Sequence, residues 1–285
     1  MFERHQIMAW LAALLCCAPW SFAHSAGAVV ETPVSINSDV MGKLALPAGS
    51  PPHQAVLLLH GWNGSMDEVG NLFADLAQAL ADRGIASLRF DFSGEGERVD
   101  YVVTSTLESR IAESKAAFAA LRNAVADARY GVVGFSLGGL TAMEVVGEHP
   151  NWFQSMVLWS AAQEMNMPGD AAYREAFRTA IEEGQGVYQT WAKITLTRPF
   201  LLSFIGVNAG RHLATYPGAL LSIRGDGDYL PSHDRAWLQS APTRDKSFLL
   251  IGGADHIFNV LDQPRPNYGA RVVRATADWF QRTLN

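Results

Sequence analysis

The pentapeptide Gly134-Phe135-Ser136-Leu137-Gly138 lies between an apolar run, Tyr130-Gly131-Val132-Val133, and a small-residue segment, Gly139-Leu140-Thr141-Ala142-Met143. Gly-x-Ser-x-Gly in that setting predicts a strand, a turn too tight for side chains at its flanking positions, and a helix. Glycines relieve the crowding, and the serine is left in a strained backbone with its hydroxyl in the open. The helix directs unpaired N–H groups at the same spot. Such a hydroxyl becomes a nucleophile once a base takes its proton, and the base needs an acid to hold its tautomer.

The chain order Ser, Asp, His is satisfied downstream. Arg224-Gly225-Asp226-Gly227-Asp228 follows one apolar run, and Gly253-Ala254-Asp255-His256 follows the last one. His256 is the expected base. Asp226 and Asp228 share the acid's loop; Asp228 is the choice, with Asp226 the alternative and the unused one stabilising the loop as an Asx turn. Asp255 is expected to point away from His256. The oxyanion of a tetrahedral intermediate needs two donors. The expected pair is the backbone N–H of Leu137 and that of Trp62, in the loop His60-Gly61-Trp62-Asn63-Gly64. His60 is expected to be structural, and His149, His212 and His233 to stand apart from the chemistry.

These groups need strands that end together. Residues 30–36 and 40–46 alternate around Asn37-Ser38-Asp39 and read as a hairpin. Ala55-Val56-Leu57-Leu58-Leu59 is apolar without a break, as for a strand buried on both faces. Further strands are expected at 85–90, 130–133, 155–159, 220–224 and 247–251. Helices are expected after Ser65-Met66-Asp67-Glu68 and Ser105-Thr106-Leu107-Glu108, both read as capping boxes, after Ser136, and over 268–284. Strands alternating with helices predict an α/β fold with a mostly parallel, doubly wound sheet. All the chemical residues then fall at strand carboxyl ends.

One segment breaks the alternation. Residues 163–217 stand where one crossover helix would suffice, and they read as a helical cap with helices over 171–183 and 187–194. Tyr188, Trp191, Phe200, Leu201, Leu202, Phe204 and Ile205 make it apolar. It is expected to cover the pocket as a lid or wall. The alternative is a subdomain that packs Trp191, Phe200 and Phe204 as a core of its own.

The net charge of −6 and the lack of a basic run exclude nucleic acid as an expected partner. Residues 1–23 read as a secretory signal peptide: Arg4, a short apolar run over 7–18, then Ser21-Phe22-Ala23. An uncleaved anchor is the alternative. Both cysteines, Cys16 and Cys17, lie in that run, so residues 24–285, expected to form a single domain, contain no thiol. An exported, periplasmic or secreted protein follows, with no membrane span after cleavage. No cofactor or metal is expected, since clustered ligand spacing is lacking.

Taken together, His60-Gly61, Arg89-Phe90-Asp91-Phe92-Ser93-Gly94-Glu95-Gly96, Gly134-Phe135-Ser136-Leu137-Gly138-Gly139, Gly225-Asp226-Gly227-Asp228 with Pro231, and Asp255-His256 resemble the α/β-hydrolase superfamily. The Arg-Phe-Asp-Phe segment is similar to the branch of feruloyl and cinnamoyl esterases, acylglycerol lipases and serine aminopeptidase-like hydrolases. In that pattern the acid is the last residue of Gly-x-x-Asp, which implies Asp228. Relatives often carry a serine near the position of Arg98, where this chain has Glu97-Arg98. The resemblance implies a serine esterase acting on a small-molecule ester through an acyl-enzyme. Peptidase or aminopeptidase-like activity, acyl transfer, and a non-catalytic binding protein on the same fold are the alternatives.

Overall fold

The computed structural model describes residues 29–49, 51–96, 100–165, 170–189 and 192–285. The segment read as a signal peptide, Glu97-Arg98 and Trp191 lie outside them. The body runs β1 (Val30–Ser35), β2 (Met41–Leu46), β3 (Gln54–Leu59), α1 (Leu72–Ala81), β4 (Ala86–Phe90), β5 (Asp100–Val102), α2 (Leu107–Ala124), β6 (Arg129–Phe135), α3 (Leu137–Glu148) and β7 (Ser155–Trp159). The insertion follows, as α4 (Ala171–Glu183), β8 (Gln185–Gln189), β9 (Lys193–Thr197) and α5 (Arg198–Ser203). The chain closes with β10 (Ala219–Gly225), α6 (Asp234–Ser240), β11 (Lys246–Ile251) and α7 (Tyr268–Thr283).

Among the described residues the main sheet has the order β1-β2-β4-β3-β6-β7-β10-β11. The β1–β2 and β2–β4 pairings are antiparallel, and every other pairing is parallel. The unbroken apolar run of β3 is explained by this arrangement. Ala55, Leu57 and Leu59 enter the core under α2 and α3, while Val56 and Leu58 enter the core under α1 and α7. Burying each of the larger side chains contributes about 1.5–3 kcal/mol. No helix among the described residues is long and apolar enough to cross a membrane.

Three local expectations are corrected. Ser65–Glu68 is not a capping box: a single 3-10 turn, Val69–Asn71, precedes α1, and the Glu68 carboxylate reaches away to Gly61. In the second box the cap is Thr106, one residue later, with Ser109 as its reciprocal partner. Ser105 instead donates its hydroxyl to Glu95.

The third correction is larger. Within the range expected as a helix over 187–194, the described residues 187–189 and 193–194 belong instead to two antiparallel strands. Gly184, with φ +100°, ends α4, and Gly186 packs so tightly that a Cβ there would lie 1.9 Å from Ala176 O. The apolar spacing suits either period, and the β-branched Val187, Ile194, Thr195 and Thr197 favour strands. The cap is therefore mixed. Its strand β9 pairs in parallel with β5, a three-residue strand in the loop after β4 that the sequence reading did not anticipate.

Close packing at the turn after β6 makes one glycine indispensable. A Cβ at Gly138 would stand 2.0 Å from Leu59 O, a backbone atom fixed in β3. Gly138→Ala is expected to cost about 3 kcal/mol, the upper end of ordinary overpacking. Thermal unfolding should detect this as a midpoint lowered by roughly 10 °C for a chain of this size. An unchanged midpoint would mean that the turn is not packed as described.

Candidate active site

Ser136 stands between β6 and α3 with φ 51° and ψ −115°, a left-handed conformation that costs a non-glycine residue about 1–3 kcal/mol. The surrounding packing enforces it. A Cβ at Gly134 would lie 2.4 Å from Gly138 O, and one at Gly139 would lie 2.4 Å from the Ala161 Cβ. Backbone bonds from Ser136 N to Trp159 O at 2.9 Å and from Ala162 N to Ser136 O at 3.1 Å lock the turn to its neighbours.

His256 reaches the serine from the loop after β11. Its Nε2 lies 3.0 Å from Ser136 Oγ, and its Nδ1 lies 2.8 Å from Asp228 Oδ1. Asp228 is fixed on every side. Its Oδ1 also accepts the Leu230 N–H at 2.9 Å, and its Oδ2 accepts from Arg224 Nη1 at 2.5 Å. Burial alone would raise this carboxyl, but the hydrogen bond and charge of His256, the Leu230 N–H and the Arg224 guanidinium hold it below the usual range. Arg224 is itself anchored, donating to Asp234 Oδ2 and to Ala161 O, both at 2.6 Å. An acceptor-only Asp228 obliges His256 to carry its proton on Nδ1, which frees Nε2 to accept one from Ser136.

The other aspartates are placed elsewhere. Asp226 is exposed and accepts the Gly253 N–H at 2.7 Å, tying two loops together. Asp255 accepts the N–H groups of Ile257 and Asn259, facing its own turn. His149 caps the end of α3 and stacks on Trp152 at 3.7 Å. His212 bonds Glu144, and His233 precedes α6.

Two segments that border the serine carry the backbone N–H groups expected as donors, those of Leu137 and Trp62. Leu137 N–H is at the first position of α3. The loop after β3 runs against Ser136, so that a Cβ at Gly61 would lie 3.3 Å from the serine Cβ. Within this loop the Asn63 N–H is taken by Glu95 and the Gly64 N–H by Gly61 O. Among the described residues, the N–H groups of Trp62 and Leu137 have no acceptor. His60 is buried beneath the loop. Its Nε2 accepts the Phe92 N–H at 3.0 Å, and its Nδ1 bonds Gly61 O at 2.7 Å. Burial, opposed by Glu95 and reinforced by Arg110, lowers its pKa to about 4, so this imidazole stays neutral at pH 7.

A cavity of about 620 Å³ opens over these groups, bordered by Ser136, His256 and Trp62. Tyr188 and Ile194 line it from the insertion, and Ile257 and Leu261 line it from the segment after β11. Tyr229, 71 % exposed, stands 4.6 Å from the His256 ring at the mouth. Phe200 and Phe204, both buried, pack on each other, and Phe200 stacks over Trp62 at 6.3 Å, so these two form the core beneath the cap. Leu202 and Ile205 face outward.

Several participants were invisible as sequence. Arg224 sits one helical-turn spacing before Asp228 but carries no motif. Glu68 was absorbed into a cap that does not form. Glu95 and Arg110, paired with both side chains hidden from solvent, are fifteen residues apart and meet only in the fold.

The family model described as serine aminopeptidase, S33, matches residues 50–202. Esterase EstD of Thermotoga maritima is 31 % identical over 119 residues, a stretch that takes in 40 % of this chain and only 29 % of that protein. Est1E from Butyrivibrio proteoclasticus superposes with a TM-score of 0.67 at 17 % identity, over 89 % of this chain and 98 % of that one. A monoacylglycerol lipase from Paleococcus ferrophilus superposes with a TM-score of 0.63 at 17 % identity, over 90 % and 99 % of the two chains. These superpositions establish the α/β-hydrolase fold.

Proposed function

The chain belongs to the serine aminopeptidase, S33, family, and from that premise we propose that it is an exported serine hydrolase that cleaves carboxylic esters through an acyl-enzyme. The observation that carries this reading is the unbroken hydrogen-bond chain from Asp228 through His256 to Ser136 at the floor of a partly apolar cavity. Export rests on the apolar run near Met1 and on the placement of both cysteines inside it.

In this reading Ser136 Oγ attacks the ester carbonyl while His256 Nε2 takes its proton. Asp228, held ionised by Arg224, stabilises the imidazolium. Negative charge gathers on the carbonyl oxygen, where the Trp62 and Leu137 N–H groups meet it. Collapse expels the alcohol, which takes the proton from His256 Nε2. Water then enters, gives its proton to His256, and releases the acid by the same steps in reverse. Esters are favoured over amides because the amide nitrogen donates its lone pair into the carbonyl more strongly than an ester oxygen does, which makes the amide the poorer electrophile. The named esterase relative and the apolar walls support the same choice.

The test is a panel of short- and long-acyl p-nitrophenyl esters, aryl esters and aminoacyl anilides, run on wild type and Ser136→Ala. Esters are expected to turn over faster than anilides by a factor of about 100 or more, an apparent barrier difference of about 2.7 kcal/mol. Anilides cleaved faster than esters would replace this reading with a peptidase. Tyr188→Ala, which trims the lining contributed by the insertion, should shift the long- to short-acyl ratio about tenfold, within the range for small changes in an apolar pocket.

A further inference from the structure

Three backbone groups of the loop after β3 are gripped by buried charged side chains. Arg110 Nη2 donates to His60 O at 2.8 Å. The Gly61 N–H donates to Glu68 Oε2 at 2.8 Å. The Asn63 N–H donates to Glu95 Oε2 at 3.1 Å. The Trp62 N–H is the donor left over between these grips. Glu95 and Arg110 are paired with each other and hidden from solvent, so two of the three grips belong to one buried ion pair.

The third grip, Glu68, is the unusual one. Its backbone has φ 59° and ψ 164°, a region occupied almost exclusively by glycine. The side chain is buried, with the residue 6 % exposed. Both carboxylate oxygens are used: Oε2 by Gly61, Oε1 by the Val69 N–H at 2.8 Å. Gly64 packs onto it, since a Cβ there would lie 3.1 Å from each oxygen, and Glu68 borders the cavity that holds Ser136. Capping one helical turn requires neither the strained backbone nor the second oxygen. What these two features achieve is a fixed Gly61.

We propose that Glu68 is a positioning residue, whose carboxylate holds Gly61 so that the neighbouring Trp62 N–H is aimed at the carbonyl oxygen of the acyl group under attack. The inference rests on the serine chemistry proposed above. The ionised carboxylate is the working form, because it offers a full acceptor to Gly61 and to Val69 at once, whereas the acid offers one. Burial, with Glu95 acting in the same sense against the two N–H bonds and Arg110, raises its pKa to about 7. Among the described residues, other charged or titratable groups at this site include the neutral His60 below the loop, His256, Tyr188 and Tyr229, which border the same cavity, and Arg265, which donates to Gly70 O at 3.0 Å. Protonation of Glu68 is thus expected to loosen the loop as pH falls through about 7.

The test compares wild type with Glu68→Gln over about pH 6 to 9, reading kcat and KM for p-nitrophenyl acetate and the rate of fluorophosphonate attachment to Ser136. The amide keeps the volume and one acceptor but cannot ionise. Its kcat is expected to fall about tenfold with KM held within about twofold, less than the 10²–10³ lost with a whole oxyanion donor. The acid limb of wild type should descend more steeply than that of Glu68→Gln, by one ionisation. Should the variant not fold, wild type alone decides: the Gly61 amide resonance is expected to titrate with a midpoint near that limb. Unchanged kcat, an unchanged pH profile in the variant, or a silent Gly61 amide overturns the inference while the serine chemistry stands. A wild type inert to both ester and probe overturns the serine chemistry, and this inference with it.

Discussion

Ser136→Ala is expected to lower ester turnover by about 10⁶-fold, the scale seen when the nucleophile of an interdependent triad is removed. Fluorophosphonate should label wild type and leave the variant unlabelled. The fold is expected to survive. The hydroxyl makes a bond to His256 at 3.0 Å, and alanine keeps the same left-handed turn with less bulk. A thermal midpoint near that of wild type would separate lost chemistry from lost structure. Equal labelling of the two proteins would move the nucleophile elsewhere.

Asp228→Asn is expected to lower turnover by about 10⁴-fold. The loss comes from a tautomer. Arg224 donates to Oδ2 while His256 and the Leu230 N–H share Oδ1, so the buried guanidinium draws the amide oxygen to the Oδ2 position and leaves the NH₂ at the Oδ1 position, facing His256. His256 Nδ1 must then accept, its proton moves to Nε2, and Nε2 can no longer receive the serine proton. Asp226→Asn makes the contrast. Its carboxylate accepts one N–H, from Gly253, which an amide oxygen can also do. Its turnover should stay within about threefold of wild type, near the ±0.5 kcal/mol of a surface change. A crippled Asp226→Asn beside a nearly silent Asp228→Asn would exchange the roles of the two aspartates.

The extent to which the chain could be read in advance follows from how local each signal is. The unbroken apolar run of β3 and the Gly-x-Ser-x-Gly turn report burial and crowding at their own positions, and the parallel sheet follows from them. Ser136, Asp228 and His256 each close a strand of one sheet, and their side chains do meet. What escaped reading is of two kinds. The strands β8 and β9 read as helix in the sequence because Val187, Tyr188 and Ile194 fit either period, and the partner that decides the matter, β5, is distant in sequence. Glu68, Glu95 and Arg110 look like ordinary surface charges along the chain. Only their enclosure between the loop after β3 and α2 gives them work to do, and no spacing encodes that enclosure.

The pairing of β5 with β9 bears on how this cap could be exchanged. Val103 N donates to Thr195 O, Thr197 Oγ1 donates to Val103 O, and Leu107 N donates to Ser203 Oγ. The insertion that lines the pocket through Tyr188 and Ile194 is therefore stitched to a stretch of chain that precedes it by most of α2 and the whole of β6, α3 and β7. A transplant of residues 163–217 alone would carry away one half of the seam and strand the other, leaving β5 with a raw edge. Any exchange of the insertion would have to carry the short ribbon that follows β4 with it, since the two share backbone pairing and side-chain bonds.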